Sequence, residues 1–82
     1  MPALWSVELT VASYDRRGLV RDLSEVIAAE NISIDTMNTS TDHSAGMAHT
    51  VLRFGVQDQT QLARLQRALQ RVPNVVNVRR SN

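Results

Sequence analysis

The chain has 82 residues, 43% of them apolar and 21% charged, with no cysteine and a formal net charge of +1. That length allows one domain with one core, burying roughly 60–65% of the surface its unfolded form exposes, and excludes a two-lobed nucleotide-converting enzyme. Zero cysteine removes disulfides, thiolate metal sites and cysteine nucleophiles together. No apolar run nears the roughly 18 residues of a bilayer span, and Ser6, Glu8 and Thr10 interrupt the opening segment where a signal peptide would be continuous. The expectation is a single soluble, cytoplasmic domain over residues 1–82.

The small net charge hides an asymmetry. Residues 1–52 carry seven acids and three arginines, a net of −4, whereas residues 53–82 carry six arginines and only Asp58, a net of +5. Every basic residue is arginine, whose planar fork suits phosphate and carboxylate and hydrates more weakly than an ammonium.

Residues 4–12 alternate, with Trp5, Val7, Leu9 and Val11 on one face and Ser6, Glu8 and Thr10 on the other, the pattern of a half-buried strand. The polar run 13–18 is a connection. Residues 19–30 change to helical period, with Leu19, Leu23, Val26 and Ile27, joined by Val20, on one stripe. Asp15 is placed to cap this helix, and Asn31 to end it in the left-handed conformation. Residues 32–39 form a second strand led by Ile32 and Ile34, and residues 40–46 are a turn-rich hairpin connection. A third strand follows over residues 47–56, with Ala48, Thr50, Leu52, Phe54 and Val56 facing the core. Asp58 or Thr60 caps a second helix over about 60–72, whose buried stripe is Leu62, Leu65, Leu69 and Val72. Pro73 and Asn74 stop it, and a fourth strand over about 75–80 points Val76 and Val78 inward.

The order β-α-β-β-α-β predicts an α+β, ferredoxin-like sandwich: a four-stranded antiparallel sheet with two helices on one face. In this reading the chain begins and ends within a few residues of the outer strands, as an excised module would. Such a fold hosts many functions, so the residues must decide. Metal chaperones of this topology use paired cysteines, which are absent. RNA-recognition modules stack bases on sheet aromatics, but Trp5 and Phe54 are expected to point inward and Tyr14 lies at a loop. The first loop has Arg16 and Arg17 but one glycine, so no phosphate cradle is specified. His43, His49 and Asp42 supply no third or fourth metal ligand of fixed geometry, and no nucleophile elbow is present. No residue set looks catalytic, and no cofactor is expected.

The segment ASYDRRGLVRDLSEVIAAENISI at residues 12–34 resembles the signature of the ACT domain, a small-molecule-sensing module: a strand, Asp-Arg-x-Gly-Leu, a helix, then Asn-Ile opening the next strand. Together with Asn38-Thr39-Ser40 and the closing Val72-Pro73-Asn74-Val75…Val78-Arg79-Arg80, the chain is similar to the C-terminal ACT domain of RelA/SpoT-type GTP pyrophosphokinases, the stringent-response enzymes that make and degrade (p)ppGpp. The resemblance covers about residues 5–80. It implies a regulatory module of such an enzyme, itself not catalytic, or alternatively an amino-acid-binding module of a biosynthetic enzyme or a stand-alone regulator.

The resemblance also implies a ligand site. Gly18 lacks a Cβ where a helix begins, and the positive end of the helix dipole favours a carboxylate. An amino acid, branched-chain by preference, would set its carboxylate near the amides of Gly18 and Leu19, with Asp15 and Asn31 holding its ammonium or closing the pocket and Arg17 and Ile32 beside them. The bland alternatives are that Asp15 is only a cap, Gly18 a packing glycine and Asn31 a helix terminator. Many amino-acid-binding members have proline where this chain has Arg17.

Arg64, Arg67 and Arg71 recur at three- and four-residue spacing and form a stripe opposite the leucines of the second helix; Arg79 and Arg80 follow on the last strand. Such a stripe can track RNA phosphates without reading bases, or it can simply keep the helix soluble. The family implies contact with the ribosome or tRNA, and not with DNA or a membrane. Met47 and Val51 form a modest apolar strip on the uncovered sheet face, and a homodimer is expected through strands or helices.

Overall fold

The computed structural model describes residues 4–81, in the order β1 (Trp5–Tyr14), α1 (Leu19–Ala29), β2 (Ile34–Asp42), β3 (Met47–Val56), α2 (Gln59–Gln70) and β4 (Val75–Arg80). The strands form one antiparallel sheet in the order β2-β3-β1-β4, and both helices pack on one face of it. This is the ferredoxin-like arrangement. β1 lies inside the sheet, between β3 and β4, so the chain enters at an interior strand and not at an outer one.

Alternation decides the core. Val7, Leu9 and Val11 of β1 and Ala48, Leu52, Phe54 and Val56 of β3 are buried on the helix side, meeting Leu19, Leu23 and Ile27 of α1 and Leu62, Leu65 and Leu69 of α2. Thr50 shares that buried face, and its hydroxyl is satisfied by Thr39 Oγ1 at 3.1 Å. The expected core face of β3 is therefore the observed one.

Four expectations yield to tertiary context. Trp5 is in phase with Val7 yet 56% exposed, because β4 pairs with β1 only from Leu9 to Ser13 and leaves the start of β1 without a neighbour on that side. Val76 is 55% exposed, and Val75 packs against the core instead. The register jumps from Ala12↔Asn77 to Ser13↔Val75, so Val76 is the extra residue of a β-bulge. Val20 is 45% exposed on the shoulder of α1. Asp15 does not cap α1: Gly18 occupies the N-cap with φ 80° and no side-chain bond.

Boundaries shift for related reasons. β2 starts at Ile34, leaving Ile32 buried just before it, and runs on to Asp42, absorbing residues expected in the turn. As an edge strand β2 need bury little, so a Thr- and Ser-rich segment suffices once β3 supplies the ladder bonds. Asn31 ends α1 with φ 59°, and Asn74 closes the α2–β4 turn with φ 77°. Asp58, not Thr60, caps α2, accepting from Gln61 N at 2.7 Å. Gln61 is itself buried; its Oε1 accepts from Gln57 N at 2.7 Å and its Nε2 donates to Glu30 O at 3.2 Å, joining the start of α2 to the end of α1.

Ser13, at the bulge, is fully buried, and its Oγ is without a hydrogen-bond partner among the described residues. A buried hydroxyl in that state costs about 1–3 kcal/mol. Ser13→Ala is therefore expected to raise unfolding stability by about 1 kcal/mol, read from the urea midpoint at unchanged slope.

Candidate functional site

The three turns at one end of the sandwich converge on the β1–α1 corner. Tyr14 N donates to Asn74 O at 2.8 Å and Asp15 N donates to Gly46 O at 2.9 Å, so the α2–β4 turn and the β2–β3 turn each hold the corner by a backbone bond. Arg16 completes the closure. Its Nε donates to Pro73 O at 3.1 Å, one terminal nitrogen to Arg17 O at 3.2 Å, and the other to Asp22 Oδ2 at 2.7 Å. Its side chain is 23% exposed, unusual for an arginine in a loop. Arg21 Nε lies 3.6 Å from Asp22 Oδ1. The Arg16 hydrogen bond holds the Asp22 carboxyl below its ordinary range, against partial desolvation and with smaller help from Arg21.

Gly18 sits where this corner becomes helix. Its φ of 80° is strained for any L side chain, and an added Cβ would lie 3.4 Å from the Arg21 guanidinium. Leu19 N leans on Arg16 O at 3.4 Å, and the Leu19 side chain is a core anchor, 3% exposed. Asp15 and Arg17 are exposed beside it.

The ligand residues proposed from sequence fall into two groups. Asp15, Arg17, Gly18 and Leu19 lie at the N-terminal end of α1, Asn31 and Ile32 beyond its C-terminal end. Eleven helical residues separate them by about 16 Å, farther than one amino acid reaches. Ile32 is buried in the core, while Asn31 lines a cavity of about 300 Å3 of mixed character, with Leu4 and Gly55 beside Ser33, Asp35 and Gln61. A second, larger depression of about 410 Å3 runs between the helices, with Asp22, Glu25 and Val26 on one wall and Ala68, Arg71 and Val72 on the other, closed by Pro73.

The arginines also divide. Arg64, Arg67 and Arg71 are exposed on α2, but Arg64 Nε is paired with Glu30 Oε1 at 3.0 Å. Arg79 pairs across the sheet with Thr10 and Arg80 with Leu9. Cross-strand partners share a face, so Arg79 is on the open face and Arg80 on the helix side. On the open face Arg53 bridges to Glu8 Oε1 at 3.1 Å; Glu8 also accepts from Ser81 Oγ at 2.8 Å, and the two bonds, that of Ser81 foremost, lower its pKa. Asp42 is occupied by its own turn, accepting from Ser44 Oγ at 2.7 Å and from the Ser44 and Ala45 amides. No helix among the described residues is long and apolar enough to cross a membrane.

Arg16 is the residue that sequence reasoning passed over. Its carbonyl partner lies 57 positions away at Pro73, and no local pattern marks that pairing.

The class that this topology defines is the ferredoxin-like α+β sandwich of two helices on a four-stranded antiparallel sheet. The profile of the ACT domain family matches residues 3–80, and the chain belongs to that family. Among solved structures it is similar to the ACT domain from the GTP pyrophosphokinase of Chlorobium tepidum, at 20% identity and a TM-score of 0.83, covering 96% of this chain and 100% of that one. The acetolactate synthase small subunit of Thermotoga maritima superposes at 0.80 with 14% identity over 93% of this chain and 47% of that one. A homoserine dehydrogenase from Thiobacillus denitrificans does so at 0.78 with 17% identity, over 96% of this chain and 17% of that one. At these identities the likeness is one of fold.

Because the folded-state pKa of Asp22 is lowered, its contribution to stability is complete above the ordinary carboxylate range and is lost as pH falls through the lowered value. Arg16→Ala is expected to lower the Tm near pH 7 and to shrink the further loss seen on acidification to about pH 2, measured by thermal unfolding across that range.

Proposed function

We propose that this chain is the regulatory ACT module of a (p)ppGpp synthetase/hydrolase, part of a larger cytoplasmic protein, and that it senses without catalysing. The observation that carries this is the β1–α1 corner: a left-handed Gly18 at a helix start, braced by an arginine that also reaches the α2–β4 turn. The full-length superposition on the ACT domain of a GTP pyrophosphokinase supports the choice of parent.

In this reading an amino acid places its carboxylate against the Gly18 corner, where the helix dipole favours an anion, and its ammonium against Asp15. The carboxylate competes with Asp22 for the Arg16 guanidinium. Arg16 holds Pro73 O with the same side chain, so the competition is felt at the α2–β4 turn. Asn31 is too far to close the same pocket from within one chain, and a partner copy in a homodimer supplies it; Ile32, buried in the core, only backs Asn31 by packing. The stripe Arg64, Arg67 and Arg71, joined on the helix side by Arg80, meets RNA phosphates of the ribosome or tRNA, with Arg64 weakened by its bond to Glu30; Arg79, on the open face of the sheet, would reach phosphates only on the opposite side. The second reading, a regulatory module of an amino-acid biosynthetic enzyme, is favoured by the likeness to acetolactate synthase small subunit and homoserine dehydrogenase.

Two measurements separate the roles. Leucine, isoleucine or valine is expected to raise the Tm, and Gly18→Val to remove that rise; a flat response to every proteinogenic amino acid rejects the sensing role. Replacing Arg64, Arg67 and Arg71 by alanine is expected to weaken tRNA or rRNA binding and to reduce its logarithmic salt slope by about two to three. Unchanged binding removes the stripe from the mechanism.

A further inference from the structure

The start of β4 holds a residue that the sheet does not need. Arg80, Arg79, Val78 and Asn77 pair in sequence with Leu9, Thr10, Val11 and Ala12, but Ser13 is opposite Val75, so Val76 is looped out of the ladder. The bulge decides which of two adjacent valines meets the core: Val75 packs against it and Val76 is exposed. It also decides a backbone bond. Ser81 N donates to Glu8 O at 2.9 Å, and every second pair from there, Thr10 with Arg79 and Ala12 with Asn77, is of the same hydrogen-bonded kind. In an unbroken ladder the next would be Tyr14 with Val75, yet Tyr14 N donates to Asn74 O at 2.8 Å.

A second register is open to the same residues. Without the bulge Ser13 is opposite Val76, Tyr14 N bonds to the Val75 carbonyl, and the freed residue passes into the α2–β4 turn. Val76 then points to the helices and Val75 to the open face, beside the exposed ring of Tyr14, an aromatic–β-branched cross-strand pair. One valine replaces another on each face, so the apolar burial of the two registers nearly cancels. The turn distinguishes them. Arg16 Nε donates to Pro73 O at 3.1 Å and Val75 N to Val72 O at 3.1 Å. Both bonds need the short turn. Shifting Val75 by one strand rise, about 3.3 Å, carries Pro73 O away from Arg16.

We propose that the start of β4 is a two-state switch, bulged and regular, latched in the bulged register by Arg16. Whatever draws the guanidinium from Pro73 O unlatches it. Release lengthens the α2–β4 turn by one residue and moves Pro73, which closes the end of the depression between the helices. A change of contact at the β1–α1 corner thereby becomes a discrete change in β4 and at the mouth of that depression. The change is discrete because each strand N–H bonds to one carbonyl or to the next. In the functional reading above, this step follows the ligand's competition for Arg16. The switch itself involves this chain alone and is tested without an amino acid, so it fails or stands separately from the sensing role.

The test is NMR of the 82-residue chain. Two signals report the register. One is the through-hydrogen-bond coupling from Tyr14 N to its acceptor carbonyl, at position 74 or 75. The other is the Hα–Hα contact of Ser13 with position 76, which the regular register brings together as a close, non-hydrogen-bonded pair. The unaltered chain is expected to couple to Asn74. Val75→Asp combined with Arg16→Ala removes the latch and makes position 75 costly to bury; the coupling is expected to move to position 75, with a roughly tenfold excess of the regular register. Val76→Asp with Arg16→Ala is expected to stay bulged, because the regular register would bury the new carboxylate. Arg16→Ala alone, with both valines intact, is expected to show the Ser13–Val76 contact beside the bulged signals. If Val75→Asp with Arg16→Ala folds and stays coupled to Asn74, the switch is overturned. If that variant does not fold, Arg16→Ala alone decides: the Ser13–Val76 contact supports the switch and its absence overturns it. If Val75→Asp shifts the register as fully with Arg16 present, the latch is overturned.

Discussion

Everything in this domain is arranged around β1. It is one of the two interior strands, paired with β3 along its whole length and with β4 along its second half, and its inward residues Val7, Leu9 and Val11 are part of the floor on which both helices rest. A strand paired on both edges cannot slide without turning its buried residues to solvent. The corner that follows it inherits that rigidity. Its first two amides are held by Asn74 O and Gly46 O, so the start of α1 is positioned by two turns that are remote in sequence and adjacent in space.

On that frame Arg16 acts as a three-way tie among the corner, the first turn of α1 and the end of α2. Exposed ion pairs contribute little to stability, typically below 1 kcal/mol, and the significance of this one is geometric. One side chain makes a carboxylate-sensitive contact, with Asp22, and a contact to a distant turn, at Pro73 O. In the proposed function, a ligand carboxylate near Gly18 would meet a guanidinium already committed to both. The lowered pKa of Asp22 has the same origin: the charged form is held by a fixed donor.

The separation of acids from arginines along the chain becomes, in the fold, a separation between the two helices. α1 presents Asp22 and Glu25 to the groove, and α2 presents Arg71, with Arg67 beside it on the outer surface.

Much of the fold is legible in the residues themselves. Period-two and period-3.6 patterning locate all six elements, Asn31 and Asn74 mark left-handed turns, Asp58 marks a cap, and the even positions of β3 are the buried ones, because each of these depends on neighbours a few residues away. The Asp-Arg-x-Gly-Leu corner is legible in the same way, and so is the α2 arginine stripe. What depended on distant partners was decided only by the tertiary structure. Trp5 is exposed because β4 stops short of it, Val76 turns outward because a bulge consumes a residue, and Asp15 loses its capping role to Gly18. Arg16 gains its role from a carbonyl 57 positions away, and Asn31 is carried about 16 Å from Gly18 by the length of α1. Local chemistry sets which elements form and where they turn; which side chains then meet is set by strand register and by the ends of neighbouring elements, to which no short window of sequence has access.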